Sequence, residues 1–309
     1  MRADTFGIVL ILLIMSTFLA IASDQFLTQE NLLSVARQFS FIGIVAIGQC
    51  LVIITGGIDL SVGSIFAFAG VTSAFAMTKM GMGVPAGILV GLASGLVFGL
   101  MNGFFITRLH LPPFIATLGT LSIARGLSYA LTSGFPLPNL PDAFKFIGQG
   151  YIRAIPVPVI LLVLLGVLFS FFLNNTIVGR RTYATGSNEE AARLSGVNTR
   201  TIKMIVYGLS GVLAGFAGMA TAARLGVAQS TAGTGYELDA IAAVIIGGAS
   251  VTGGVGTVLG TIIGAAVTGV LKNGLILLSV SAYWQQTVIG VVVILAVTID
   301  LMRHRFRNS

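Results

Sequence analysis

Long apolar runs separated by short, glycine-rich gaps leave this chain few folds to adopt. Runs such as Phe6–Ala22, Val84–Thr107, Val157–Leu173 and Lys203–Ala223 hold 17 to 24 residues each, close to the roughly 20 that a helix needs to cross a hydrocarbon layer of about 30 Å. Only 9% of the 309 residues are charged and 55% are hydrophobic, too little polar material to cover a soluble fold of this length. The runs are continuous and do not alternate with period two, so they read as helices and not as barrel strands. No polar stretch is long enough for an appended soluble domain. The expectation is one all-α, polytopic helical membrane domain over residues 1–309.

Ten spans are expected: Phe6–Ala22, Phe41–Thr55, Ser61–Thr78, Val84–Thr107, Phe114–Thr132, Val157–Leu173, Lys203–Ala223, Leu238–Val251, Gly256–Leu278 and Gln285–Met302. Ala20-Ile21-Ala22 has the small residues of a signal-peptide cleavage site, but the first run is read as a retained span. All eight prolines, Pro85, Pro112, Pro113, Pro136, Pro138, Pro141, Pro156 and Pro158, fall at the expected boundaries. With odd spans running outward, the inner side receives ten basic residues: Arg2, Arg108, Arg180, Arg181, Arg193, Arg200, Lys203, Arg303, Arg305 and Arg307. The outer side receives six, Arg37, Lys79, Lys145, Arg153, Arg224 and Lys272. That excess places both termini in the cytoplasm.

Several functions are excluded. A net charge of +7 spread along such a chain is a topology signal and does not imply nucleic-acid binding. A single cysteine, Cys50, and two histidines, His110 and His304, cannot build a disulfide or a cysteine- or histidine-based metal site. The glycine-rich stretch Gly247–Gly260 contains no lysine and is not a phosphate-binding loop, so this chain is not expected to hydrolyse ATP. Gly91, Gly95 and Gly99, Gly211 and Gly215, and Gly260 and Gly264 recur every four residues, the spacing that lets helix backbones touch.

Two features suggest mechanism. The first is the cytoplasmic segment 176–203, the longest polar stretch, which holds a short helix: Asn188 as N-cap, Glu189 and Glu190 in the first turn, and Gly196 as terminator. Ala191 and Leu194 share one side of it. The segment reads equally as a solvated connection or as a docking element. The second feature is a pair of interrupted spans. Phe41–Thr55 is short for a span and runs into Gly56-Gly57-Ile58-Asp59-Leu60-Ser61-Val62-Gly63; Leu238–Ile246 runs into Gly247-Gly248-Ala249-Ser250-Val251-Thr252-Gly253-Gly254. The two breaks superimpose, and paired breaks of this kind mark transport pathways. Gly56, Gly57, Asp59, Ser61, Gly247, Gly248, Ser250 and Thr252 are therefore candidate pathway residues. Asp59 is open to a second reading, as a cap of the following helix.

Isolated polar residues complete the survey. Asn102 and Asn273 read as interhelical hydrogen-bonding groups. Arg125 either lines an aqueous vestibule or marks a span that begins later than Phe114. Broken helices also suit an ion-coupled secondary transporter of a small polar solute, against which stands Asp59 as the one plausible intramembrane carboxylate.

Gly56–Ser64 (GGIDLSVGS), Gly186–Thr199 (GSNEEAARLSGVNT) and Gly235–Gly260 (GYELDAIAAVIIGGASVTGGVGTVLG) resemble motifs of the permease subunits of bacterial ABC importers for ribose and related monosaccharides, within the branched-chain amino acid and ribose permease family. The resemblance spans nearly the whole chain and implies a multi-pass permease in the bacterial inner (plasma) membrane. It implies a second permease copy or paralogue, a cytoplasmic ATPase subunit that alone carries ATP and Mg, and a periplasmic sugar-binding protein. No cofactor is implied on this chain. It further implies that Asn188, Glu189, Glu190, Ala191, Ala192, Arg193, Leu194, Ser195 and Gly196 form the ATPase-docking helix.

Overall fold

The computed structural model describes residues 3–281 and, beyond them, residues 283–285, 287–288, 290–292, 294–295 and 297–298. The elements run α1 (Ala3–Ala22), α2 (Gln29–Ile54), α3 (Val62–Thr78), α4 (Val84–Thr107), α5 (Pro113–Thr132), α6 (Asp142–Gln149), the two-residue strands β1 (Tyr151–Ile152) and β2 (Ile155–Pro156), α7 (Val157–Asn175), α8 (Ile177–Ser187), α9 (Glu189–Leu194), α10 (Thr199–Leu225), α11 (Tyr236–Ile246) and α12 (Val258–Leu277). Six of these, α2, α4, α5, α7, α10 and α12, are long and apolar enough to cross a membrane. The tenth expected span, Gln285–Met302, falls partly outside the described residues, as do Arg2, Arg303, Arg305 and Arg307 wholly.

Proline sets the starts of four consecutive helices, α4 to α7. Pro85, Pro113 and Pro158 occupy the first turns of α4, α5 and α7, where the missing N–H costs nothing. Arg125 is thus the thirteenth residue of an uninterrupted α5, and the span does not begin later.

The core forms around α10 and α4, whose glycine stripes interlock. Gly95 faces the Gly211 carbonyl, Gly211 faces the Gly95 carbonyl, and Gly99 lies on the Tyr207 carbonyl. On its other side α10 presents Gly218 to the Phe66 carbonyl of α3. The third stripe packs elsewhere: Gly260 and Gly264 of α12 rest on Gly247 and Ala243 at the end of α11. Backbones this close gain dispersion contact that no side chain would permit. At the N-terminus, Leu19 of α1 fills the space over Gly274 of α12.

Three expectations are corrected. The helix expected at Phe41–Thr55 begins twelve residues earlier, at Gln29, and is a full span of 26 residues. Its first turns carry Gln29, Glu30, Asn31, Arg37 and Gln38, which depress hydropathy, although Thr28 caps it and Asn31 exchanges amide hydrogen bonds of 2.7 and 3.1 Å with Asn273 of α12. Of the two interrupted spans, only α11, with 11 residues and a length of about 16 Å, is short. Segment 176–203 holds two helices, because Thr176 caps α8 through the Gly179 N–H at 3.0 Å before Asn188 opens α9. Finally, Asp59 is not the one carboxylate among the spans. Asp239 of α11, 4% exposed, pairs with the half-buried Lys272 of α12 at 2.6 Å.

Gly211→Val would drive a branched side chain into the Gly95 carbonyl and the Gly99 backbone. Overpacking of this kind costs about 1–3 kcal/mol. We expect a lower thermal unfolding midpoint for the purified protein in detergent, whereas Gly7→Ala, with nothing within 4 Å, should leave it unchanged or slightly raised.

Candidate functional site

The α9 helix is built as its sequence suggests. Asn188 Oδ1 accepts from the Ala191 N–H at 2.9 Å, Glu189 and Glu190 face the helix N-terminus, and Gly196 ends the segment at φ +84°. Glu189 is tied to Lys203 of α10 at 2.6 Å, and Arg193 lies 4.0 Å from Glu190. Ala192 turns inward and is 6% exposed, while Leu194 is 80% exposed. Ala191 and Ser195 are exposed beside it. A short helix tethered at both ends therefore presents an apolar side chain to its surroundings. Beside it opens a cleft of about 840 Å³, walled by Ile106, Leu111, Pro112 and Pro113 on the α4–α5 side and by Glu190, Arg193, Val197 and Arg200 on the other.

The two glycine breaks meet at this same end of the molecule. The Gly254 N–H donates to the Ile54 carbonyl at 2.9 Å, and Gly253 lies against Gly56. Gly56, Gly248, Gly253 and Gly254 have φ between +73° and +90°, the left-handed region open to glycine. Gly186 of α8 completes the junction, with the Ile54 carbonyl and the Gly254 amide where a side chain would stand. Two residues along the chain, Asn188 opens α9. The exposed helix, the end of α2 and the turn after α11 are thus joined through backbone.

The candidate pathway residues separate into two groups. Gly56, Gly248 and Thr252 are exposed, whereas Gly57, Asp59, Ser61, Gly247 and Ser250 are buried. Ser250 and Thr252 share a hydrogen bond of 2.9 Å between their hydroxyls. Asp59 is wholly buried. Its Oδ1 accepts from the Ser61 N–H at 2.9 Å, the Ser61 hydroxyl at 2.5 Å and Asn102 Nδ2 at 3.4 Å, and its Oδ2 accepts from the Ser210 hydroxyl at 3.3 Å. Asn102 also donates to Ser61 Oγ at 2.8 Å and accepts from the Thr120 hydroxyl at 2.6 Å. With its amide turned to match, Gln49 bonds the Asp59 carbonyl and N–H at 3.1 and 3.2 Å. The break is thereby held by α2, α4, α5 and α10 together.

Sequence reading found Asp59 and Asn102 but missed Gln49, Thr120, Ser210 and Gly186. Gln49, a large amide inside an apolar run, was the available signal; the hydroxyls gave none, because serine and threonine are common in spans.

Over residues 31–297 the chain matches the family described as branched-chain amino acid transport system, permease component. The chain belongs to that family. It is similar to the ribose import permease protein of Bacillus subtilis, with 44% identity over 291 residues covering 94% of this chain and 90% of that one. The ribose import permease protein of Escherichia coli K12 is 43% identical over 295 residues, covering 94% of this chain and 91% of that one. The xylose transport system permease protein of Haemophilus influenzae is 34% identical over 349 aligned positions, 93% of each chain. No solved structure matches this chain. In this permease the three motifs contain the Asp59 break, the α8–α9 turn and the α11–α12 turn.

Asp59→Ala would leave the Ser61 N–H, the Ser61 hydroxyl and the Ser210 hydroxyl without their acceptor. Each buried unsatisfied group costs about 1–3 kcal/mol, so we expect a loss of about 3 kcal/mol or more. Asp59→Asn, which keeps one acceptor oxygen, should lose less than half of that. Chemical unfolding in mixed micelles checks the pair; a loss of about 1 kcal/mol for Asp59→Ala would be that of an ordinary exposed cap.

Proposed function

We propose that this permease is the membrane-spanning subunit of an ATP-driven importer that carries a monosaccharide or related small polyol across the bacterial inner membrane. The observation that carries the reading is the α9 helix: a capped, tethered segment that holds Leu194 80% exposed and is joined through Gly186 to both helix breaks. The ribose and xylose import permeases among its relatives support the choice of substrate class.

In this reading α9 docks on a cytoplasmic ATPase subunit, which binds ATP and Mg, and a second permease copy or paralogue completes the pathway. A sugar-binding protein delivers substrate on the opposite face. The apolar runs give ten spans, and the excess of inner basic residues orients them with both termini inside. Closure of the ATPase would push α9, and the junction of Gly186, Ile54 and Gly254 would pass that displacement to α2, α11 and α12. Alternating access then needs only two packings of the bundle, biased by the nucleotide state. The ion-coupled alternative gains little from Asp239, since Lys272 already neutralises it.

Ala191→Glu places a charge beside Leu194 on the exposed side of α9 without touching the bundle. We expect normal expression and melting, with at least a tenfold loss of ATPase copurification or of ATP-driven uptake. Wild-type coupling in a folded Ala191→Glu permease would refute the docking role.

A further inference from the structure

The connection between α10 and α11 does not stay at the end of the bundle. From Gly226 the chain returns along α5, where Ser230 bonds the Thr132 hydroxyl at 2.7 Å and the Ser128 carbonyl at 3.0 Å. It reaches Gly233, which packs against Gly63. Gly63 is the second residue of α3, about 22 Å along that helix from its far end at Thr78. Residues 226–235 are therefore irregular backbone at membrane depth.

Arg125 of α5 pins this segment. Its guanidinium donates to the carbonyls of Ser230, Ala232 (2.9 Å) and Gly63 (3.4 Å), and Glu237 and Tyr129 lie within its electrostatic reach. The cation is thus met by three carbonyls, with the Glu237 carboxylate within electrostatic reach. Thr231 and Thr234 remain exposed beside it, as do Ser122 and Tyr129 of α5. Irregular backbone at this depth is not tolerated against lipid and must face water or protein.

We infer that the segment 226–235 and the adjoining face of α5 form a wall of the translocation pathway, and that Ser122, Tyr129, Thr231 and Thr234 contact an uncharged polyhydroxylated solute. Hydroxyl groups and one aromatic ring, with the Arg125 guanidinium turned onto backbone carbonyls, suit a neutral sugar. A zwitterionic amino acid would need charged partners, and none of these four residues carries a charge. The wall replaces the glycine breaks as the site of solute contact; the breaks transmit movement. The identity of the solute rests on the function proposed above.

The test is thiol accessibility in the assembled transporter. In a Cys50→Ala background, Ser122→Cys, Thr231→Cys and Thr234→Cys would be treated with a membrane-impermeant methanethiosulfonate, with Val167→Cys on α7 as the lipid-facing control, Val167 being 67% exposed. We expect reaction at least tenfold faster than the control, slowed by ribose and its binding protein. The double variant Thr231→Val, Thr234→Val should lower ribose uptake about tenfold while the ATPase still copurifies. Labelling no faster than Val167→Cys, or full uptake by the double variant, would overturn the assignment. If instead the wall labels but the transporter moves no monosaccharide, the proposed substrate class fails while the aqueous wall stands.

Discussion

Every other feature of this bundle depends on the contact between α10 and α4. With glycines 91, 95 and 99 of one helix set against 211 and 215 of the other, the two backbones approach until carbonyls lie where a Cβ would stand. In a hydrocarbon surround no hydrophobic force drives helices together, so contact of this closeness supplies the adhesion. It also sets the distance across which Asn102 of α4 and Ser210 of α10 both reach Asp59. A wider spacing would leave that carboxylate without partners and the break without an anchor.

The break and the segment 226–235 show the same solution to one problem. Irregular backbone inside a membrane must find partners within the protein, and each of these two segments is held by one buried or half-buried polar side chain. Asp59 holds its loop by collecting donors, and Arg125 holds the longer segment by collecting carbonyls. Asp239 and Lys272 neutralise each other between α11 and α12. Firmly pinned loops suit a permease whose helices move as bodies around them, and the junction at Gly186 gives α9 a direct route to those bodies.

Much of this was legible in the sequence. Proline positions marked the helix starts, the glycine spacing marked the close contacts, and Asn188 with Gly196 bounded α9. The failures were local and physical. Hydropathy hid the first turns of α2, since Asn31 is satisfied by Asn273, 242 positions along the chain. The pairing of Lys272 with Asp239 was invisible for the same reason: a partner 33 residues away erases the penalty that a lone charge would carry. The segment 226–235, poor in charge and rich in glycine and threonine, read as an ordinary connection. Only Arg125 hinted at it, because a cation inside a span must have acceptors, and the sequence could not say which.

The central claim is that ATP hydrolysis on a separate subunit, delivered through α9, drives a sugar through this chain. Reconstituting the permease with its ATPase and binding protein in liposomes, and following radiolabelled ribose, tests it directly. Accumulation that requires ATP on the α9 face and persists when proton and sodium gradients are abolished is the predicted result. Uptake by the permease alone under an imposed proton or sodium gradient, without ATP, would contradict the account.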